Sequence, residues 1–463
     1  MKLKMLRWRW TIIFAAVFGF FLMAGCGNQA APAQGDNVPA AQPAPPVGQP
    51  AAQPAPQAEQ GGTITFQYIG GTVPAADEAI LGVIRAYTES TGFNVEPIHV
   101  TWGTAHQQFV SSLMAGMPPD VVQLGGIWPL EFMDHGVFAP IEDYIPASII
   151  DNFFPSGFDV LTGSNGVRYG LPWDGATWGL FYRKDLFEEA GLDPESPPRD
   201  WDELLEFAKA LTKPDGSQYG LMFPAGGWEA DTFFNPFMWQ SGNEVVIPGP
   251  DGRFIGNFNT VEGLRAINFY NDLVNTHGVM PVEVTGMMWE AIKNAFTAGQ
   301  TAMMYNGMWA VNAIRNTAPE LEGQWATAHA PAGPGGRIAL GHPNSMHIVA
   351  QSPHRDMAGK LLEYLYGPRD GQPSVYKEIM VIIGVHSWEK DFIDTMEWAR
   401  DPKIRPLLEQ AEWGRNRPAW ARYEQFRRMY YVPGLQALLL GQITPQQFAD
   451  NMDAAVERIG VIP

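Results

Sequence analysis

A chain of 463 residues has the length for two to four units of ordinary size, and 46% hydrophobic against 17% charged residues is a globular balance. Its formal net charge of −19 repels phosphate backbones and argues against nucleic-acid binding. A single cysteine excludes a disulfide framework and any cysteine-cluster zinc or iron–sulfur site, and nothing in the composition implies a cofactor.

Lys2, Lys4, Arg7 and Arg9 precede an apolar run over 10–24, the pattern of a secretory signal and too short for a comfortable permanent span. The run ends in Leu22, Met23, Ala24, Gly25 and Cys26. Small residues before a lone cysteine resemble the lipobox of bacterial lipoproteins, with Met23 where that pattern prefers Leu. The resemblance implies a signal peptide over 1–25 and lipidation of Cys26; an ordinary signal peptide with a chance cysteine is the alternative. Residues 27–60 are rich in Pro, Ala and Gln, hold no aromatic residue and carry two charges, Asp36 and Glu59. Such a segment cannot build a core and reads as a semi-stiff stalk at roughly 3 Å per residue, so 26–60 form a tether.

The globular part opens at Gly61. Residues 63–68 (TITFQY) alternate like a half-buried strand, and Ile80, Ile84 and Tyr87 recur at helical spacing before a stop at Gly92. A second strand is expected over 94–100, a helix through Phe109, Leu113 and Met114, and a buried strand over 121–124. Strand–helix–strand–helix–strand predicts a parallel sheet covered on both faces, with a ligand beyond the carboxyl ends of its strands. Those ends are Tyr68-Ile69-Gly70, Thr101-Trp102-Gly103 and Gly125-Gly126-Ile127-Trp128. A second α/β region follows: Asp200 to Glu203 read as a capping box before the stripe Leu204, Leu205, Ala208 and Leu211. Thr444-Pro445 opens a last helix with the stripe Phe448, Met452 and Val456.

Three segments carry a family resemblance in order and spacing. They are YGLPWDGATWGLFYRKDLF at 169–187 with PRDWDEL at 198–204, AFTAGQTAMMYNGMWA at 295–310, and GHPNSMHIV at 341–349 with MAGKLLEYL at 357–365. Together they resemble the bacterial extracellular solute-binding proteins of the maltose-binding type, over effectively the whole chain from Gly61. The resemblance implies an α/β fold of two lobes, each a sheet flanked by helices, with a ligand cleft at the hinge. By analogy, lobe 1 takes 61–171 plus 299–342 and lobe 2 takes 172–298 plus 343–463. It also implies a monomeric receptor, tethered to the outer face of the cytoplasmic membrane or periplasmic, that closes on a solute and delivers it to an ABC permease. No phosphate-binding loop of the Gly-x-x-x-x-Gly-Lys-Ser/Thr type occurs, so an ATPase would be another subunit.

A carbohydrate presents apolar C–H faces rimmed by hydroxyls, which call for aromatic platforms with short polar groups. Trp102 and Trp128 follow strands, Trp173 and Trp178 sit at the crossover, Trp228 and Trp239 come from the second lobe, and Trp309 lies on the return. The glycine-flanked or loop-borne set, Trp102, Trp128, Trp173, Trp228 and Trp309, is preferred; Trp201 and Trp325 are assigned to packing. Tyr68 and Asn306 join the candidates. Asp174 offers a carboxylate to a diol or caps a helix, and Glu229 and Asp231 beside Trp228 carry the same two readings. Asn344 and Ser345 suit sugar hydroxyls or make a plain turn after Pro343; Gly126, after Gly125, either brings backbone N–H groups to a ligand or serves packing.

Three rivals stand beside a neutral oligosaccharide. A glycosidase would use a carboxyl pair such as Asp174 and Glu229, but no spacing is diagnostic and no Gly-x-Ser-x-Gly or His-Glu-x-x-His motif occurs. A polyamine binder would set Asp174, Glu229 and Asp231 among aromatic walls, and a glycerol-phosphate binder would want basic strand ends that this chain lacks. A sensor or adhesin on the same fold is the third. His342 and His347 have no acidic partner nearby, so no metal site is expected.

Overall fold

The computed structural model describes residues 62–460 except 72, 228–229 and 251–252. The signal-like segment, Cys26, the stalk, Trp228 and Glu229 lie outside the described residues. Among the described residues, no helix is long and apolar enough to cross a membrane.

The first three strands form where alternation and apolar runs place them: β1 (Thr63–Ile69), β2 (Asn94–Val100) and β3 (Val121–Leu124). β2 and β3 both run parallel to β1, which demands crossovers; the helices Pro74–Thr91 and Ala105–Met114 supply them. The first buries Ala76, Ile80, Ile84 and Tyr87 and stops at Gly92, whose φ of 75° lets its N–H close on the Thr88 carbonyl.

β4 (Leu171–Arg183) is thirteen residues long and buried throughout. The remaining strands are β5 (Tyr219–Met222), the hairpin of β6 (Val246–Pro248) and β7 (Phe254–Gly256), β8 (Thr301–Gly307), β9 (Trp325–Ala328), β10 (Ala339–Ile348) and the short β11 (Gly414–Arg415). Hydrogen bonds connect the main sheet in the order β2-β1-β3-β10-β4-β8-β5, with β9 also on β4. The start of β4 lies antiparallel to the end of β10, whose other edge pairs with β3. The end of β4 pairs instead with β8 and β9, and β8 runs parallel to β5. The antiparallel pair β4–β10 therefore passes from one lobe to the other.

This pairing reverses part of the expected lobe assignment. Residues 299–342 were expected in lobe 1, yet β8 and β9 are hydrogen-bonded into the second-lobe half of the sheet. Residues after 343 were expected in lobe 2, yet the end of β10 joins β3, and the helices Arg355–Tyr366 and Val375–Ile383 pack against Pro74–Thr91. The sequence segments mark where the chain crosses; strand pairing decides the direction.

Second-lobe helices keep their sequence signatures. Asp200 Oδ1 accepts the Glu203 N–H at 2.9 Å, but the Glu203 carboxylate reaches the Arg199 N–H, one residue before the cap, at 2.8 Å. Thr444 and Gln447 complete a reciprocal box (3.2 and 2.9 Å) ahead of the helix Pro445–Gly460, which buries Phe448, Met452 and Val456.

Midway along β4, Gly175 exchanges two backbone hydrogen bonds with His386, at 2.8 and 3.0 Å, bringing a third chain segment onto the crossing pair. A Cβ there would stand 2.0 Å from the His386 ring, whereas one at Gly286 meets nothing within 4 Å. Gly175→Ala is expected to cost about 1–3 kcal/mol by overpacking, seen as a lowered melting temperature, while Gly286→Ala leaves it nearly unchanged. Equal melting temperatures for the two variants would refute this account of the crossing.

Candidate ligand-binding cleft

Where the carboxyl ends of β1 and β3 meet the crossing pair, a cleft opens toward solvent. Its floor is set by a fault in the ladder. The β4–β10 register shifts between Pro343 and Ser345, where two β4 residues, Trp173 and Asp174, stand against the single Asn344. The Asn344 side chain turns inward: Nδ2 donates to Asp174 Oδ1 at 2.6 Å and Oδ1 accepts the Gly126 N–H at 3.0 Å. Asp174 on β4 and the loop after β3 are thus joined through one amide.

Asp174 is 5% exposed. Desolvation pushes its carboxyl up to about 7, and the hydrogen bond from Asn344 only partly opposes this. Its backbone carbonyl accepts from Trp388 Nε1 at 2.9 Å, so the residue is held on both sides. Gln123 stands nearby on β3, with Oε1 accepting the Ile69 N–H at 2.9 Å.

Five tryptophans line the cavity: Trp102, Trp173, Trp178, Trp289 and Trp309. Trp309 meets Trp178 edge-on at 5.4 Å and Trp289 edge-on at 6.0 Å, the favoured arrangement of ring quadrupoles. Gly307 makes this corner possible, since a Cβ there would lie 2.1 Å from the Trp309 ring. Trp102 tilts against Trp128 at 6.1 Å, and Gly125 leaves room for both rings. Asp77 at the rim accepts the Gly71 N–H at 2.9 Å and lies 4.0 Å from His99 Nε2. Among the described lining residues there is no Lys, Arg or His.

Of the residues chosen from sequence, Trp102, Trp173, Asp174, Trp309 and Asn344 line the cavity. The other described candidates do not line it. Gly126 supplies the N–H that orients Asn344, and Trp128 backs Trp102. Asn306 is fully buried and joins the Trp289 carbonyl (3.3 Å) to the Gly307 N–H (2.9 Å), bracing the tryptophan corner. Ser345 bonds His347 Nε2 at 2.7 Å, whose Nδ1 lies 2.8 Å from the Tyr169 carbonyl; burial holds that imidazole down at about 4. Tyr68 packs between Phe66 and His99, and Trp239 is buried in the helix Ala230–Gln240 of lobe 2. Asp231 does not line the cavity: fully buried, it pairs with Arg417 at 2.7 Å and accepts from Tyr423 at 3.0 Å. Trp201 and Trp325 are core residues, as assigned.

Sequence reasoning missed Trp289, Gln123 and Thr232. Trp289 opens a helix just ahead of the 295–310 segment, a position that reads as helix core without knowledge of which way the turn faces. Val73, Ile80, Ile383 and Val385 were missed because aliphatic residues at helical or strand spacing read as packing.

Residues 70–372 match the bacterial extracellular solute-binding proteins. A putative binding protein of Brucella abortus is 29% identical over 307 residues, covering 65% of this chain and 70% of its own. Among solved structures, an ABC transporter solute-binding protein of Thermotoga lettingae bound with α-D-tagatose aligns with a TM-score of 0.76 at 27% identity, over 86% of this chain and 99% of that one. Maltose-bound MalE3 of T. maritima aligns with a TM-score of 0.72 at 25% identity, over 86% of this chain and 100% of that one. With the family matched over most of the described chain and the cleft lying where two lobes share a strand pair, the chain belongs to the bacterial extracellular solute-binding protein family.

Proposed function

We propose that this protein is the substrate-binding subunit of an ABC importer and captures a carbohydrate, an oligosaccharide by preference, by closing its lobes around it. The observation that carries this reading is the ring of five tryptophans around the Asp174–Asn344 pair. Indole faces match the C–H faces of sugar rings, and a carboxylate beside an amide offers an acceptor and a donor to hydroxyls. Relatives solved with tagatose and maltose support the same ligand class. The cleft lies on the shared strand pair, so a ligand touching both lobes stabilises the closed arrangement. Cleavage before Cys26, lipidation there and a stalk over 27–60 would hold a monomeric receptor near its permease.

A polyamine is the second reading, but Asp231 is committed to Arg417 and Asp77 to the Gly71 turn, which among the described residues leaves Asp174 as the buried carboxylate for it. The purified protein is to be titrated with mono- and oligosaccharides, spermidine and glycerol 3-phosphate, reading tryptophan fluorescence and thermal shift. A saturable response to a neutral sugar alone supports the proposal; a response to spermidine alone refutes it.

Trp102→Ala and Trp309→Ala remove half-exposed lining rings and are expected to weaken sugar binding about tenfold or more, while Trp201→Ala, stacked on Phe269 in the core, leaves the Kd of the folded protein within about twofold. Trp173 is 1% exposed and packed on Tyr366 and Tyr376, so Trp173→Ala is expected to cost stability first, about 3–5 kcal/mol by denaturant unfolding.

A carboxyl whose pKa rises on folding holds its proton more tightly in the native state. The stability that Asp174 contributes in this way is full below the unfolded value near ~4 and is lost as pH rises toward about 7. Asp174→Asn should therefore gain melting temperature relative to the parent at pH 8 compared with pH 5, while its sugar affinity falls. A pH-independent gap between the two melting curves would show that the folded carboxyl titrates normally.

A further inference from the structure

Apart from Trp102 and Asp77, the first-lobe wall of the cleft is largely aliphatic. Ile69 ends β1, Val73 and Ile80 share one face at the start of the helix Pro74–Thr91, and Ile383 and Val385 flank Gly384 after the helix Val375–Ile383. The two helices pack side by side, so these side chains join in one wall. The acidic group on it, Asp77, is already engaged by the Gly71 N–H and His99. Gln123, Asp174 and Asn344 gather at the floor instead, where the strands cross. Beside the aliphatic wall stands the edge-to-face corner of Trp178, Trp289 and Trp309, joined to it where Gly384 approaches the Trp309 backbone.

A sugar filling this cleft from floor to mouth would press hydroxyls against the aliphatic wall, where they lose water without gaining a partner. A solute that suits both parts of the lining carries hydroxyls at one end and an apolar group at the other. The described lining offers no basic side chain to an anionic substituent.

We infer that the preferred solute is a glycoside with an apolar aglycone, its sugar hydroxyls on Asp174 and Asn344 and its aryl or alkyl group against Ile80, Ile383 and Val385, beside the tryptophan corner. This rests on the carbohydrate reading above. The apolar group is bound by area removed from water, and the floor fixes its orientation through the sugar.

Isothermal titration of the purified protein with maltose, cellobiose and mannobiose, each as the free sugar and as its phenyl glycoside, tests the inference. For whichever sugar binds, the phenyl glycoside is expected to show a Kd at least about tenfold lower, a gain consistent with burying one face of a ring. Ile383 is half-buried at a helix end, so Ile383→Asn should fold, as a thermal melt will check, and should shrink the ratio of the two Kd values to within about twofold. A free sugar that binds as tightly as its glycoside, or a ratio untouched by Ile383→Asn, overturns the inference and leaves the carbohydrate role standing. No binding by any of the six at millimolar concentration overturns both.

Discussion

Everything in this molecule is arranged around one antiparallel strand pair. β4 and β10 are the only long segments hydrogen-bonded into both halves of the main sheet among the described residues, and β4 is buried along all thirteen residues. A strand with no solvent-facing side must satisfy its polar groups inside the protein. The fault at Asn344 is where that requirement becomes a binding feature. Asn344, the single residue opposite the bulge in β4, turns its amide toward the one carboxylate on that strand and toward the N–H of Gly126. The bulge interrupts regular pairing there, and the Asn344 amide makes two bonds that position the cleft floor.

Close approach of backbone to ring is the second shared theme. Gly125, Gly175 and Gly307 each stand where a Cβ would collide with an aromatic or imidazole ring, and all three lie at or beside the crossing pair. They let Trp102, His386 and Trp309 press against strand backbone, so the rings are held by packing rather than by long side-chain reach. A rigid aromatic lining follows from this, since each ring is fixed by a neighbour: Trp102 by Trp128, Trp309 by Trp178 and Trp289, Trp173 by Tyr366 and Tyr376.

The acidic residues show how one residue type divides by environment. Asp174 is desolvated with an amide as its partner, and its carboxyl rises to about 7. Glu389 is also raised to about 7 by burial, although Lys377 lies 3.4 Å away and opposes the shift. Asp231 sits equally deep but between Arg417 and Arg427, where the charge is compensated and serves the second-lobe core. Glu424 is held down at about 2 because the charges and hydrogen bonds of Arg427 and Arg428 outweigh the burial that would raise it. Only the first of these four faces the cleft.

Local patterns were fully legible in the sequence. The alternation in 63–68, the stripe Ile80–Ile84–Tyr87 with its glycine stop, and the caps at Asp200 and Thr444 depend on neighbours a few residues away, and each appears in the structure. The family segments likewise pointed to the crossover strand and to Asp174, Asn344, Trp173 and Trp309. Which lobe each crossing leads into was not legible, because β8, β9 and β10 are assigned by hydrogen bonds to strands more than a hundred residues away. The same limit applies to the side chains: Trp239 and Trp289 both lie on helices, and only packing turns the first into core and the second into cleft lining. The sequence alone determined the first three strands, the capped helices and the family, since those are set by short-range periodicity, capping and local motifs. Tertiary structure alone decided the lobe of each segment and the faces that meet the ligand, since those are set by non-local pairing and burial.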